Sequence, residues 1–182
     1  KTLATELKKI GSAFEIKTDI TFSNMSQPLG RYAGLGCEII ESINCLKGDG
    51  PNDLIELSLE LGSKILLQSK KANNENEAKK KMLKTIDDGS ALKKFEEMII
   101  AQGGNFEQLQ MSQSNIKNEL YICSDRDGYI SSMDTEKIGW ALVEMGCGRR
   151  RDKDLLDFTA GIRFNVKVGE AIKKGEKVYT LF

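Results

Sequence analysis

The sequence predicts an α/β fold: a layer of helices packed on a sheet, followed by a smaller α+β domain that closes in a β unit. Three observations carry that prediction. The chain opens with a helical apolar spacing, then an alternating segment, then a turn-rich loop. Between Gly34 and Gly104 apolar residues recur with a helical period in four successive segments. After Asp157 the period drops to two, the repeat of a strand.

The first element is a helix over residues 1–11, with Leu3, Leu7 and Ile10 on one stripe, Thr2 at the N-cap and Gly11 at the end. Residues 15–22, EIKTDITF, place Ile16, Ile20 and Phe22 on one face, which predicts a strand leading into the loop SNMSQPLG. An amphipathic helix over 34–46 carries Leu35, Ile39, Ile40, Ile43 and Leu46. KGDGP stops it and sets Pro51 at the first turn of a helix over 52–69. That helix is so rich in Leu and Ile that deep packing is expected. The polar stretch SKKANNENEAKKK reads as a connection and a solvated face of a helix running to Asp88, with Met82, Leu83 and Ile86 inward. Gly89 closes it, and Ser90 is expected to cap the next, whose core stripe is Leu92, Phe95, Met98 and Ile99.

Composition changes after Gly104. The amide-rich residues 105–118 read as a linker between a domain at 1–104 and another at 119–182. ELYICS and GYISSMD predict two short strands around the turn DRDG, where Asp125 and Asp127 lack the spacing of a calcium loop. TEKIGWALVEMG predicts a helix with Thr135 at its N-cap and Ile138, Ala141, Leu142 and Met145 inward. The closing FNVKVGEAIKKGEKVYTLF has turns at Gly169 and Gly175 and resembles the barrel-sandwich units of lipoyl and biotinyl carriers. No MKM-like tripeptide accompanies it, which argues against a carrier.

The chain has 182 residues, 40% hydrophobic and 30% charged, with 27 basic against 27 acidic side chains. So balanced a surface does not favour nucleic acid. No apolar run is long enough to cross a bilayer, so no membrane partner is expected. Histidine is absent, which excludes a Ser-His-Asp triad, a Cys-His pair and a His-based zinc site built from this chain alone. Cys37, Cys45, Cys123 and Cys147 stand singly without CxxC spacing, as buried reduced thiols of a cytoplasmic protein would. The opening KTLATELKK has no initiator Met and no signal-peptide core, so a piece of a longer chain is expected.

Four stretches in order, NMSQPLGRYAGLGCEIIESINCLKGDGPNDLIELSLELGSKIL, DDGSALKKFEEMIIAQGG, GYISSMDTEKIGWALVEMGCGRRR and VKVGEAIKKGEKVYTLF, resemble pyrimidine nucleoside phosphorylases of the thymidine phosphorylase type. The resemblance implies that residues 1–104 are the rear part of a large α/β phosphate-binding domain. It implies that 119–182 are that family's C-terminal α+β domain with its barrel-sandwich-like β unit. The activity implied is reversible phosphorolysis of pyrimidine (deoxy)nucleosides to free base and (deoxy)ribose 1-phosphate. The implied parent binds phosphate and a pyrimidine nucleoside, uses no organic cofactor and forms a homodimer. The family's phosphate loop and base-contacting residues match no positions here, so no catalytic or substrate-binding residue is carried over, and the chain alone is expected to be inactive.

One site does carry over. Bacterial members of the family hold a monovalent cation, K+, under the phosphate loop, and the matching positions are Leu29, Tyr32 and Glu41, with Tyr32 departing from the small residue common there. Hard cations favour carbonyl and carboxylate oxygens of this kind. The plainer reading is that Gly30, Gly34 and Gly36 let helix and strand approach closely and that Glu41 is solvated. Arg149, Arg150 and Arg151 either grip an anion or form a solvated loop paired with Asp152 and Asp154, while Trp140 and Tyr129 read as core or interface aromatics. The competing functional class is a stand-alone, non-catalytic structural or ligand-binding module of the same fold.

Overall fold

The computed structural model describes residues 2–111 and 118–182; Lys1 and residues 112–117 of the expected linker lie outside the described residues. Helix α1 (Thr2–Ala13) forms as its spacing predicts, but its apolar stripe is bare: Leu3 is 73% exposed, Leu7 and Ile10 more than half. The strand expected over 15–22 does not form. Alternation describes a face but supplies no partner edge, and among the described residues no strand pairs with this segment. It is tied down by side chains instead, Lys64 Nζ donating to Thr21 Oγ1 at 2.7 Å and Gln68 to Asp19 at 2.7 Å.

Strand β1 (Tyr32–Gly34) sits where only a loop was expected, since three residues are too few to show a period. Helix α2 (Gly36–Leu46) follows, burying Cys37, Glu41 and Ile43. Helix α3 (Asn52–Gln68) begins after Pro51, which takes the N-cap position at φ −63°. Its expected deep packing is not found, because Leu61 and Ile65 remain exposed and Ser63 is its buried residue. Helix α4 (Glu75–Asp87) packs against α3, whose Leu54, Ile55, Leu59, Leu66 and Leu67 are half-buried. Asn74 caps α4 by accepting from Glu77 N, while Glu77 reaches back to accept from Asn73 N, one residue before the cap, at 2.9 Å.

Helix α5 (Ser90–Ala101) is capped by Gly89 at φ +74° rather than by Ser90, which lies inside the first turn. The left-handed backbone there ends α4 and restarts the chain, a conformation that costs glycine least. Helix α6 (Phe106–Met111) occupies part of the expected linker, its Phe106 ring edge-on to Phe95 at 6.3 Å.

The strands β2 (Leu120–Cys123) and β3 (Gly128–Tyr129) exist as predicted but are not partners of each other. Helix α7 (Thr135–Glu144) is capped by Asp134, whose Oδ1 accepts from Lys137 N at 3.0 Å, so the cap lies one residue before Thr135. After it come β4 (Gly161–Phe164), β5 (Ala171–Ile172) and β6 (Lys177–Leu181). A four-stranded antiparallel sheet runs β1-β4-β6-β2, and β3 pairs with β5 in a second, two-stranded sheet. The fold is therefore mixed α and β with antiparallel sheets.

The first sheet draws its edge strand from one half of the chain and its other strands from the other. Gly34 pairs with Gly161. A Cβ on Gly34 would lie 2.8 Å from both Ala160 O and Cys37 Sγ, so the close approach of β1 and α2 to β4 requires glycine. Ala33, Met133, Ile162 and Phe164 form the buried core of this sheet, with Ile138, Leu142 and Met145 of α7 and its C-terminal turn packed against it. Phe164 is 1% exposed and stacks edge-on with Tyr179 at 5.7 Å. Phe164→Ala is expected to cost about 3–5 kcal/mol, read as a lower urea midpoint.

Candidate functional site

Residues 27–31, the QPLG turn and the arginine after it, belong to no helix or strand, and their backbone groups must find other partners. Side chains provide several of them, and the Phe164 N–H donates to Arg31 O. Gln27 Oε1 accepts from Val168 N at 2.8 Å. The Lys167 ammonium donates to Pro28 O and, at 2.5 Å, to Gly30 O, and lies 3.2 Å from Asp53 Oδ2. Two of the ammonium's N–H donors thus go to carbonyls, and Asp53 adds an ion pair. Asp53, in the first turn of α3, also accepts from Gly30 N at 3.2 Å. Arg31 N donates to Glu41 Oε1 at 2.7 Å.

Gly30 is the pivot of this arrangement. It is buried with φ +73°, and a Cβ there would stand 2.2 Å from Glu41 Oε2. Its N–H meets Asp53, its carbonyl meets Lys167, and its α-carbon faces Glu41.

A second clasp lies alongside. The Arg31 guanidinium forks onto Glu170, with contacts of 2.7 and 3.2 Å, and Glu170 also accepts from Lys167 N at 2.9 Å. Bidentate geometry makes this the strongest type of Arg–carboxylate contact. The Arg31 fork holds the Glu170 carboxyl below its usual range.

Of the residues singled out for a cation, Glu41 is 5% exposed on α2, Leu29 is 43% exposed in the turn, and Tyr32 opens β1 opposite Arg163. Leu29 and Tyr32 flank the Gly30–Arg31 segment that Glu41 holds. Glu41 is thus buried, not solvated. Burial pushes its pKa up, the N–H groups of Arg31 and Tyr32 oppose that shift, Asp53 adds to it and Lys167 relieves part of it. Among the described residues no ammonium or guanidinium comes within salt-bridge distance of Glu41, and no group of three or more acidic or cysteine side chains is placed to hold a metal. The carboxylate opens on a polar cleft of about 550 Å³ lined by Arg31, Tyr32, Asn44, Asp49 and Arg163.

Other sequence expectations resolve simply. Asp154 Oδ2 accepts from Arg150 N and Arg151 N at 3.0 and 2.9 Å, closing the arginine loop on itself. Trp140 and Tyr129 are 58% and 76% exposed and belong to no core. Asp127 accepts from Lys174 N, so the DRDG turn docks on the β5–β6 turn. Lys167, Asp53 and Glu170 were not singled out from sequence. The one available signal was Asp53 in the first turn of a helix behind Pro51, a place that favours an acid for electrostatic reasons alone.

Residues 129–182 match the family model of the pyrimidine nucleoside phosphorylase C-terminal domain. Over its whole length the chain is 37% identical to the pyrimidine-nucleoside phosphorylase of Geobacillus stearothermophilus and covers 42% of that protein. The corresponding protein of Staphylococcus epidermidis is 36% identical over 100% of this chain and 42% of its own, and that of Bacillus subtilis 36% over 99% and 42%. The chain is a homologue of the pyrimidine-nucleoside phosphorylases. It aligns with the C-terminal part of those phosphorylases and spans about 42% of their length, so the resemblance read from the four sequence stretches holds.

Two measurements check this site's electrostatics and packing. Glu170 has a depressed carboxyl pKa in the folded chain. Its contribution to stability is therefore present above the unfolded value of about 4.3 and lost as pH falls through the folded one. Glu170→Gln should lower the urea midpoint at pH 7, with the gap to wild type closing as pH drops below about 4; a gap independent of pH would contradict the clasp. Burial pushes the Cys37 thiol up to about 12 and raises those of Cys45 and Cys147 as well, whereas Cys123 is exposed. Alkylation of the folded chain should mark Cys123 first and Cys37 last, as followed by peptide mass spectrometry.

Proposed function

We propose that this chain is the supporting C-terminal portion of a pyrimidine nucleoside phosphorylase of the thymidine phosphorylase type. In the intact parent, a phosphate oxygen attacks the anomeric carbon of a pyrimidine (deoxy)nucleoside, the carbon–nitrogen bond breaks, and the base leaves with the bonding electrons. The products are the free base and (deoxy)ribose 1-phosphate. The parent works in the cytoplasm as a homodimer, without an organic cofactor.

The observation that carries this reading is similarity to phosphorylases along the whole of this chain, with the QPLG turn at residues 27–30 held in a defined shape. Catalysis of this type depends on holding two reactants in line. Glu41 and Lys167 fix the backbone of residues 28–31, and residues 1–104 serve as the rear of the phosphate-binding domain, giving the phosphate loop a rigid floor. In this reading Leu29, Tyr32 and Glu41 hold the monovalent cation, K+, which supplies fixed positive charge under that loop. The bare stripe of α1 and the exposed Phe14, Phe22 and Met25 fit a face that the rest of the parent covers.

The test is a pair of assays for phosphate-dependent release of thymine or uracil. The 182-residue chain alone should give none. A chimera joining it to the unmatched remainder of the Geobacillus protein should turn over thymidine or uridine. Turnover by the chain alone, or a folded chimera that is inert with both nucleosides, would overturn the proposal.

A further inference from the structure

The helical layer holds a hollow of about 280 Å³ that shares no lining residue with the polar cleft at Glu41. Four helices build its wall: Leu46 comes from α2, Leu54 and Leu59 from α3, Met82 and Ile86 from α4, and Phe95 from α5, each half-buried. The only hydroxyl or thiol groups in the lining are those of Ser42, Ser58 and Cys45. Cys45 is half-buried, whereas Ser42 and Ser58 are exposed and mark the mouth, the Ser42 hydroxyl donating to Glu38 O of its own helix at 2.9 Å. No charged side chain lines the space. Protein interiors pack with few voids larger than a water molecule, so a space of this size calls for an occupant. Water is a poor one, because each buried molecule needs several polar partners.

We propose that this hollow is a binding site for a small, neutral aromatic molecule. Size sets the class: an apolar cavity of about 150 Å³ holds benzene, which scales to about ten non-hydrogen atoms here. The Met82 sulfur and the Phe95 ring in the wall favour an aromatic occupant over an aliphatic one. The same wall rejects a pyrimidine base or nucleoside, whose carbonyls and N–H groups would be buried without partners. The site is therefore separate from the reaction proposed above. Helices α2 and α3 also carry Glu41 and Asp53, so the occupant touches the two helices that hold the Gly30 turn.

The experiment titrates indole into the 182-residue chain with methyl-labelled methionine, using thymine, a polar molecule of similar size, as the contrast. Indole should shift the Met82 methyl resonance saturably, with a dissociation constant on the order of 1 mM or tighter, and leave that of Met25, which is 81% exposed, in place. It should also slow alkylation of Cys45 without slowing that of the exposed Cys123. Ser58→Phe plugs the mouth from an exposed position and should weaken indole binding roughly tenfold or more; Ser42→Phe on α2 takes its place if the first variant fails to fold by circular dichroism. The chimera with the Geobacillus remainder should bind indole as the chain alone does. No saturable Met82 shift, an equal response to thymine, or a folded plug variant that binds like wild type overturns the proposal. So does a chimera that no longer binds indole, because a side chain of the parent then fills the space.

Discussion

The buried ammonium of Lys167 is the contact around which this molecule is organised. A turn that lies in no helix or strand has to satisfy its polar backbone within the protein, and an unpaired buried group costs about 1–3 kcal/mol. Residues 28–31 meet this demand with charges from three places: Lys167 near the C-terminus, Asp53 on α3 and Glu41 on α2. The turn is therefore a joint product of distant segments. Charge-assisted hydrogen bonds of this kind fix orientation as well as contributing energy.

The same junction explains why β1 forms at all. Three residues have no stability as an isolated strand, yet Tyr32–Gly34 lies between the clasped turn and α2, and its hydrogen bonds to β4 complete an existing sheet. Arg31 O accepts from Phe164 N at 2.8 Å, extending the ladder one residue into the turn. The core residue Phe164 and the charge cluster are thus consecutive features of one edge. Packing on one side and electrostatics on the other hold the same short backbone segment.

The exposed face of α1 and the extended residues behind it form the opposite pole. There the apolar pattern is strong and nothing among the described residues satisfies it, whereas at the turn the pattern is weak and everything is satisfied. Hydrophobic periodicity reports which face a segment wants to bury, not whether a partner is present. The contrast fits the chain's 42% coverage of its relatives.

Helices were legible because a period of 3.6 over ten or more residues is a local property: α2, α3, α4, α5 and α7 lie within a few residues of their expected bounds. Strand pairing was not. β2 and β3 look like a hairpin around DRDG, but β2 joins β6 and β3 joins β5, because pairing depends on which edges the fold brings together. Glu41 was found only through resemblance to a family, and sequence left its burial open. Lys167 was invisible: it lies between Val166 and Val168, where alternation sends a lysine outward. The chain turns there instead of running as a strand, and two carbonyls and a carboxylate make burial of the charge tolerable. The residues themselves determined the helices, the turns at Gly169 and Gly175 and the kinship with phosphorylases. Only the tertiary structure decided which charges meet at Gly30, because a buried ion is set by partners distant in sequence and leaves no local pattern.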